Sequence, residues 1–364
     1  MFEERRKKLV RLLMERDLDA AAIVPGPNMY YFTGIKLKQS ERLNIVLLTK
    51  EDELYFVCPQ VELNKIQQST EGTIFWYSDE EGAGKALSDL QSCMTPLRKI
   101  GIEFDHMKVS ELKAVESLNF SLTEDISYQL NKRRVQKDKL EIDKMQRAVK
   151  IVEESLSATL PYIKSGTTEL EVAARLEYEM RKRGSEGTPF GTIVASGYRA
   201  ALPHGRASRK NIESGELVIL DFGAVFEGYV ADMTRTVAIG KIPDKLTEIY
   251  TVVKAAQQAA ADTVMPGVVC HDIDETARKV IQDSGFGEFF THRAGHGIGL
   301  SAHEEPYLMP NNRSTLQPGM TFTIEPGIYL PKFGGVRIED NFVITENGSR
   351  NFMSFTKDLI TLKG

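Results

Sequence analysis

Asp221 closes the apolar run Leu217-Val-Ile-Leu, and Asp232 sits inside the next one, Tyr229-Val-Ala-Asp-Met-Thr-Arg-Thr-Val. Between them, Phe226-Glu-Gly is a turn signal. A hairpin centred between Phe226 and Glu227 sets Asp221 directly opposite Asp232, where paired Cβ atoms lie about 4.5–5.5 Å apart. Two carboxylates at ~4 Å repel by about 4 kcal/mol at an effective dielectric near ~20. A shared proton or a bound cation relieves that repulsion. A register slipped by one residue would instead turn the two acids to opposite faces. The pattern returns downstream. Glu325 closes Thr321-Phe-Thr-Ile, Glu339 closes Gly334-Gly-Val-Arg-Ile, and the loop signal Pro331-Lys-Phe-Gly-Gly between them is centred on Lys332. Four converging acids cannot share one proton as a dyad does. They suit two divalent cations, whose summed charge balances four carboxylates.

Histidine is scarce, six in 364 residues, yet His271, His292, His296 and His303 fall in one stretch. In Gly295-His-Gly-Ile-Gly, the glycines permit close backbone approach, and His296 would add a nitrogen to the four acids. Read alone, His296 is better taken as a core histidine with satisfied ring nitrogens. Four carboxylates and one imidazole suit manganese, cobalt, iron or zinc better than thiolate-seeking metals. Paired metals about 3.5–4 Å apart serve phosphatases, nucleases and aminopeptidases. His204, in Ala201-Leu-Pro-His-Gly, and His303, in Ala302-His-Glu-Glu-Pro, stand in turn-like contexts. They read as donors to a substrate carbonyl or a developing oxyanion, or as surface histidines. His292 precedes His296 by four residues, but the glycines argue against a helix facing both the same way. His271 is expected on the surface near a helix start. Arg337 shares a strand face with Glu339 and would hold a neighbouring carboxylate, a substrate carboxylate or a cross-strand partner. There is no His-Glu-x-x-His motif, and Gly295-x-Gly-x-Gly is not a dinucleotide fingerprint.

Elements must position these groups. Residues 6–16 carry a helical apolar stripe, and 20–24, 44–48 and 54–57 read as buried strands, so residues 1–125 form an α/β layer. The chain becomes highly charged near 126–142, and a long helix is expected over 139–160. Beyond it lies an internal repeat. Gly166 and Gly184 bracket one helical segment, and Gly267 and Gly285 bracket another 101 residues on. Ser214-Gly-Glu-Leu-Val-Ile-Leu-Asp-Phe-Gly resembles Pro318-Gly-Met-Thr-Phe-Thr-Ile-Glu-Pro-Gly 104 residues on, matching Asp221 to Glu325. Two similar α+β halves follow, with their strands expected in one sheet and an acid from each half at equivalent positions. Composition bounds the rest. Against 46 basic residues stand 51 acidic ones, a net charge of -5, which disfavours nucleic acid and anionic membrane as partners. No apolar run approaches the ~18 residues of a membrane span. The charged start Met-Phe-Glu-Glu-Arg-Arg is not a signal peptide. Cys58, Cys93 and Cys270 are odd in number and far apart, which points to a reducing cytoplasm.

Several segments then converge. Ile193-Val-Ala-Ser-Gly, Ala201-Leu-Pro-His-Gly, Asp221-Phe-Gly, Asp232-Met-Thr-Arg-Thr, Gly295-His-Gly-Ile-Gly-Leu, His303-Glu-Glu-Pro, Glu325-Pro-Gly-Ile-Tyr and Gly335-Val-Arg-Ile-Glu-Asp run in order through most of 190–342. In these the chain resembles the aminopeptidase P / prolidase branch of the pita-bread metallopeptidases. Asn28-Met-Tyr-Tyr-Phe-Thr-Gly resembles that family's non-catalytic domain. The resemblance implies a creatinase-like α/β domain over 1–126. It implies an α+β pita-bread catalytic domain over 127–364, with an internal pseudo-two-fold duplication. It makes Asp221, Asp232, His296, Glu325 and Glu339 the ligands of two divalent ions per chain, manganese first and cobalt or zinc next. Asp232 and Glu339 would bridge the ions, and a bridging water or hydroxide would attack the peptide bond. Glu325 would accept the proton of that nucleophile, and His204 and His303 would stabilise the tetrahedral intermediate and position the substrate. His292 and Arg337 would shape the proline-side pocket. The implied substrates are proline-containing dipeptides or short peptides, whose tertiary amide resists many peptidases. The implied assembly is a homodimer. Ser301-Ala302 and Asn341 depart from common residues of the branch, which bears on selectivity rather than on the ligand set. The interval of 14 from Glu325 to Glu339 leans towards small prolidases. A methionine-aminopeptidase-like exopeptidase and a non-enzymatic binding protein on the same fold are the competing classes. Metal content separates the binding protein from the enzymes.

Overall fold

Residues Phe2–Glu15 form the first helix (α1) because Leu9, Leu12 and Leu13 recur on one face and bury it. This computed structural model describes all 364 residues, and contacts divide the chain into two units, Met1–Arg134 and Val135–Gly364. The first unit is built on β1 (Ala20–Ile23), β2 (Ile45–Thr49), β3 (Leu54–Pro59), β4 (Thr73–Tyr77), β5 (Lys99–Ile102) and β6 (Leu122–Asp125). They form one six-stranded sheet in the order β4-β3-β2-β1-β5-β6. β1 lies inside it, antiparallel to β2 and parallel to β5, and all four of its residues are buried. That is why Ala20-Ala-Ala-Ile reads as an unbroken apolar run rather than an alternating one. Helices α2 (Pro27–Thr33), α3 (Gln60–Gln67), α4 (Ala83–Cys93) and α5 (Val109–Glu116) complete the layer. The next helix, α6 (Ser127–Val135), is tied to the first unit: Tyr31 Oη donates to Arg133 O at 2.7 Å, and Asn28 Nδ2 donates to Asn131 Oδ1 at 3.0 Å.

The second unit opens with α7 (Lys139–Thr159), whose start is fixed by a capping box between Asp138 and Glu141. α8 (Glu169–Lys182) starts in the same way at Thr168 and Glu171. Then come β7 (Ile193–Ser196), the long pair β8 (Leu217–Phe226) and β9 (Tyr229–Ile239), and helices α9 (Asp244–Asp262) and α10 (Cys270–Asp283). Seven short strands and one terminal strand follow: β10 (Gly295–Gly297), β11 (Glu304–Leu308), β12 (Thr321–Ile324), β13 (Gly327–Leu330), β14 (Gly334–Arg337), β15 (Asp340–Thr345), β16 (Gly348–Asn351) and β17 (Ile360–Leu362). The duplication is written in backbone hydrogen bonds. Gly166 N donates to Ile212 O and Glu169 N to Lys210 O; Gly267 N donates to Leu316 O and Cys270 N to Ser314 O. The donors are displaced by 101 residues and the acceptors by 104, matching the two sequence shifts.

Two expectations need correction. The halves do not share one continuous sheet. β17-β9-β8-β7 form one ladder, β11-β10-β12-β15-β16 a second, and β13-β14 a separate ribbon. The second half is interrupted on both arms: Pro326 parts β12 from β13, and Ile338-Glu339 parts β14 from β15. One isolated β-bridge, Thr234 to Glu339, joins the ladders of the two halves, with Thr236 Oγ1 donating to Arg337 O at 2.9 Å beside it. The β8–β9 register also differs. Its turn is Glu227-Gly228, both at positive φ (46° and 84°), so Phe226 pairs with Tyr229. Asp221 then faces Thr234, and Asp232 faces Gly223. The shift is two residues, one full side-chain period, so both aspartates keep the same face as diagonal neighbours. The β13–β14 hairpin pairs Gly327 with Arg337 and turns about Lys332, as its spacing predicts. All three cysteines are free. No helix is long and apolar enough to cross a membrane.

Candidate metal centre

β9 carries Asp232 inward at 4% exposure, and the break after β14 leaves Glu339 at 1%. β10 carries His296 between β11 and β12. Gly295 and Gly297 make that possible, because a Cβ at either would lie 2.0–2.1 Å from a neighbouring carbonyl oxygen. One potential ligand atom from each of Asp232, His296 and Glu339 lies within 4.8 Å of the others. Glu325, at the end of β12, reaches His296 Nε2 with Oε1 at 3.3 Å. Asp232 Oδ2 stands 3.9 Å from the same nitrogen. His296 Nδ1 pairs with Gly297 O at 3.1 Å. A carbonyl only accepts, so Nδ1 carries the proton and Nε2 offers its lone pair to the carboxylate cluster.

The electrostatics describe a site short of positive charge. Burial, with Asp221 and Glu325 nearby, pushes the Asp232 carboxyl well above the carboxylate range. Burial, with Asp232, does the same to Glu339. Burial raises Glu325 to about 7. Burial holds His296 down to about 3, as a neutral imidazole. Asp232 Oδ1 and Glu339 Oε1 are buried without a hydrogen-bond partner. A buried anion without a partner is expensive, and a divalent cation among these oxygens removes the cost. The donor set, oxygen-rich with one imidazole, fits such an ion.

The remaining anticipated residues surround this cluster. Asp221 turns its carboxylate to Arg337, whose Nη2 donates to Oδ2. Arg337 Nη1 donates to Tyr329 Oη at 2.9 Å and to Pro203 O at 3.2 Å, and Nε to Thr234 Oγ1 at 3.3 Å. Of the partners expected for Arg337, the neighbouring carboxylate of Asp221 is the one in contact. Thr234 Oγ1 in turn donates to Glu339 Oε2 at 2.7 Å. His292 Nδ1 donates to Arg293 O at 2.7 Å, so Nε2 accepts from Tyr329 Oη at 2.8 Å. Burial keeps that phenol protonated, pushed up to about 12, and keeps His292 neutral, held down to about 4. His303 packs edge-on against His296 with ring centroids 4.2 Å apart, and burial lowers its pKa. His204 is exposed on the loop after β7 and lines the same cleft of about 560 Å3. His271 lies apart on α10, where Nδ1 accepts from Asn311 N. Tyr329, Thr234 and Phe190 were not singled out from sequence. Thr234 had a signal, two residues after Asp232 on the same strand face. Tyr329 closes the segment Glu325-Pro-Gly-Ile-Tyr, yet only folding sets it behind His292 and Arg337, and Phe190, which lines the cleft, had no signal.

Comparison with known proteins agrees across the whole chain. Residues 143–346 match the profile of metallopeptidase family M24, and residues 5–136 match the creatinase/prolidase N-terminal domain. An Xaa-Pro dipeptidase of Pyrococcus horikoshii is 36% identical over 363 residues, covering 99% of this chain and 99% of the relative. The crystal structure of a recombinant prolidase from Thermococcus sibiricus superposes with a TM-score of 0.94 at 35% identity, covering 100% of this chain and 99% of that one. The structure of an X-Pro aminopeptidase from Thermotoga maritima gives 0.87 at 34% identity, covering 98% and 99%.

Proposed function

Because the chain belongs to metallopeptidase family M24, we propose that it is a metal-dependent exopeptidase hydrolysing Xaa-Pro dipeptides. The observation that carries this reading is the buried triad of Asp232, His296 and Glu339, with two carboxylate oxygens left unpaired. Asp221, Asp232, His296, Glu325 and Glu339 would hold two divalent ions, with manganese our first assignment and cobalt or zinc next. When bound, such ions supply Lewis acidity, polarising the scissile carbonyl and acidifying water.

The chain's own residues do the rest. Glu325, with a carboxyl near neutrality through burial, takes the proton of the attacking water and returns it to the proline nitrogen. That nitrogen leaves a tertiary amide as a secondary amine and needs the proton. His204 and His303 donate to the carbonyl oxygen as it gains negative charge. His292 and Tyr329, locked to each other and to Arg337, wall the side that receives the proline ring. Arg337 holds Asp221 and so acts on the substrate through the pocket wall rather than by direct contact.

The similarity to an X-Pro aminopeptidase structure favours a second reading, cleavage of longer peptides. Proline release from Ala-Pro by manganese-loaded protein, beside Ala-Pro-Ala and Ala-Ala, tests both. Cleavage of Ala-Pro alone supports the dipeptidase, and faster cleavage of Ala-Pro-Ala supports the aminopeptidase. Two bound ions with no proline peptide cut would leave the ligand assignment standing and sink the substrate assignment. No bound metal would favour a non-enzymatic binding protein.

A further inference from the structure

Glu169 is the first residue of α8, far in sequence from every anticipated site residue, yet its carboxylate is wholly buried. It accepts five hydrogen bonds. Oε1 takes Ser196 N at 2.8 Å and Ser196 Oγ at 2.9 Å; Oε2 takes Arg199 Nε at 3.0 Å, Ser208 N at 3.0 Å and Ser208 Oγ at 2.6 Å. Arg199 continues the chain of contacts, its Nη2 donating to Arg206 O at 2.6 Å. One buried anion thus fastens both ends of the loop 197–207. That loop carries His204 on its exposed part, and Pro203 O, on the same loop, accepts from Arg337.

We propose that Glu169 is a positioning residue that fixes His204 over the cleft by clamping its loop. For its catalytic consequence the proposal rests on the role given to His204 above. The His204 ring is exposed and makes no hydrogen bond, so its placement follows the backbone beneath it. Burial and charge make this anchor stiff, because each donor withdrawn takes solvation from a buried carboxylate that water does not reach. The opposite rim hangs from a separate anchor. Asp274 accepts from Ala294 N at 2.8 Å and holds Arg278, which donates to Phe290 O at 3.0 Å and His292 O at 2.9 Å. Glu169 and Asp274 share no partner, so removing Glu169 leaves the anchor beneath His292 in place; Arg337 alone touches both rims, through Pro203 O and Tyr329 Oη.

The test uses Glu169→Gln and, as a milder change at a half-buried site, Arg199→Met. Selective 13Cε1 labelling of the six histidines reads each imidazole by NMR without any substrate. His204 should become mobile in both variants while His292 keeps its signal. On Ala-Pro, Glu169→Gln should lower kcat by roughly ten- to a hundredfold, with KM and bound metal unchanged. In a His204→Ala background it should cost nothing further, and in a His292→Ala background its full factor. An unchanged His204 resonance, or the same fold loss with and without His204, would overturn the clamp. If the unaltered protein releases no proline, the substrate reading fails, and the NMR comparison alone decides the clamp.

Discussion

The carbonyl of Gly297 decides which nitrogen of His296 faces the carboxylates, and that small choice sets the chemistry of the cluster. With Nδ1–H engaged and burial holding the ring near a pKa of about 3, the imidazole arrives ready to bind a cation without losing a proton. The acids do not. Burial raises Glu325 to about 7 and lifts Asp232 and Glu339 above the ordinary range as well. A cation must displace those protons, so binding releases them and apparent affinity rises with pH. Calorimetric titration of the metal-free protein in two buffers of different ionisation enthalpy should show more protons released at pH 6 than at pH 8. No release at either pH would mean that the carboxylates are already ionised. Arg337 offers a second test at this scale. Arg337→Met strands the Asp221 carboxylate and removes the donor to Tyr329, costing about 3–5 kcal/mol. Urea unfolding of the metal-free variant measures the loss. Added divalent metal should restore part of it, by returning positive charge beside Asp221.

Strands place these residues, and glycine permits the closest approaches. β10 runs between β11 and β12, and a Cβ on Gly295 would meet Thr323 O at 2.0 Å. Thr323 O is backbone and the Cβ is fixed to the backbone of β10, so neither yields cheaply. Gly295→Ala should cost about 3 kcal/mol through overpacking and should abolish metal binding, because β10 carries His296. Gly228 is a useful contrast. At φ 84° it closes the β8–β9 turn, remote from the ligands. Gly228→Ala should cost about 1–2 kcal/mol of left-handed strain and leave metal stoichiometry intact. Denaturant midpoints and metal analysis of the two variants separate register from position. A Gly228→Ala protein that binds no metal would show that the turn, and not the ladder, sets the placement of Asp232. The β8–β9 turn is also where sequence reading erred. A two-residue turn at Glu227-Gly228 keeps the same alternation as one placed a residue earlier, so periodicity could not choose between them.

Across the second unit, one side chain gathers three parts of the chain. Arg235 donates to Thr234 O at 2.9 Å, to Glu339 O at 2.7 Å, to Asp340 Oδ1 at 2.7 Å, to Phe355 O at 2.9 Å and to Thr356 O at 2.9 Å. It thereby joins the first half, the second half and the final segment of the chain beneath the metal cluster. Arg235→Met should cost about 3–5 kcal/mol, since Asp340 would keep a buried charge with its arginine partner gone. Differential scanning calorimetry should also show a smaller gain from added metal, because the backbone of Glu339 loses its anchor. A variant that melts with the parent would show that Arg235 does not hold the halves together.

From its own residues the sequence determined the donor types, their order, the repeat that pairs Asp221 with Glu325, and the segments that mark the family. All of these are local or periodic, and local signals survive in a linear string. Tertiary structure alone decided that the halves form separate ladders bridged at Thr234 and Glu339, and that Asp221 faces Thr234 while its charge answers to Arg337. It also brought Tyr329 and Glu169 to their posts. The physical reason is that a side-chain period of two constrains which face a residue takes, but not which partner it meets. Partners more than 100 residues apart, such as Asp221 and Arg337, are chosen by the packing of the whole unit.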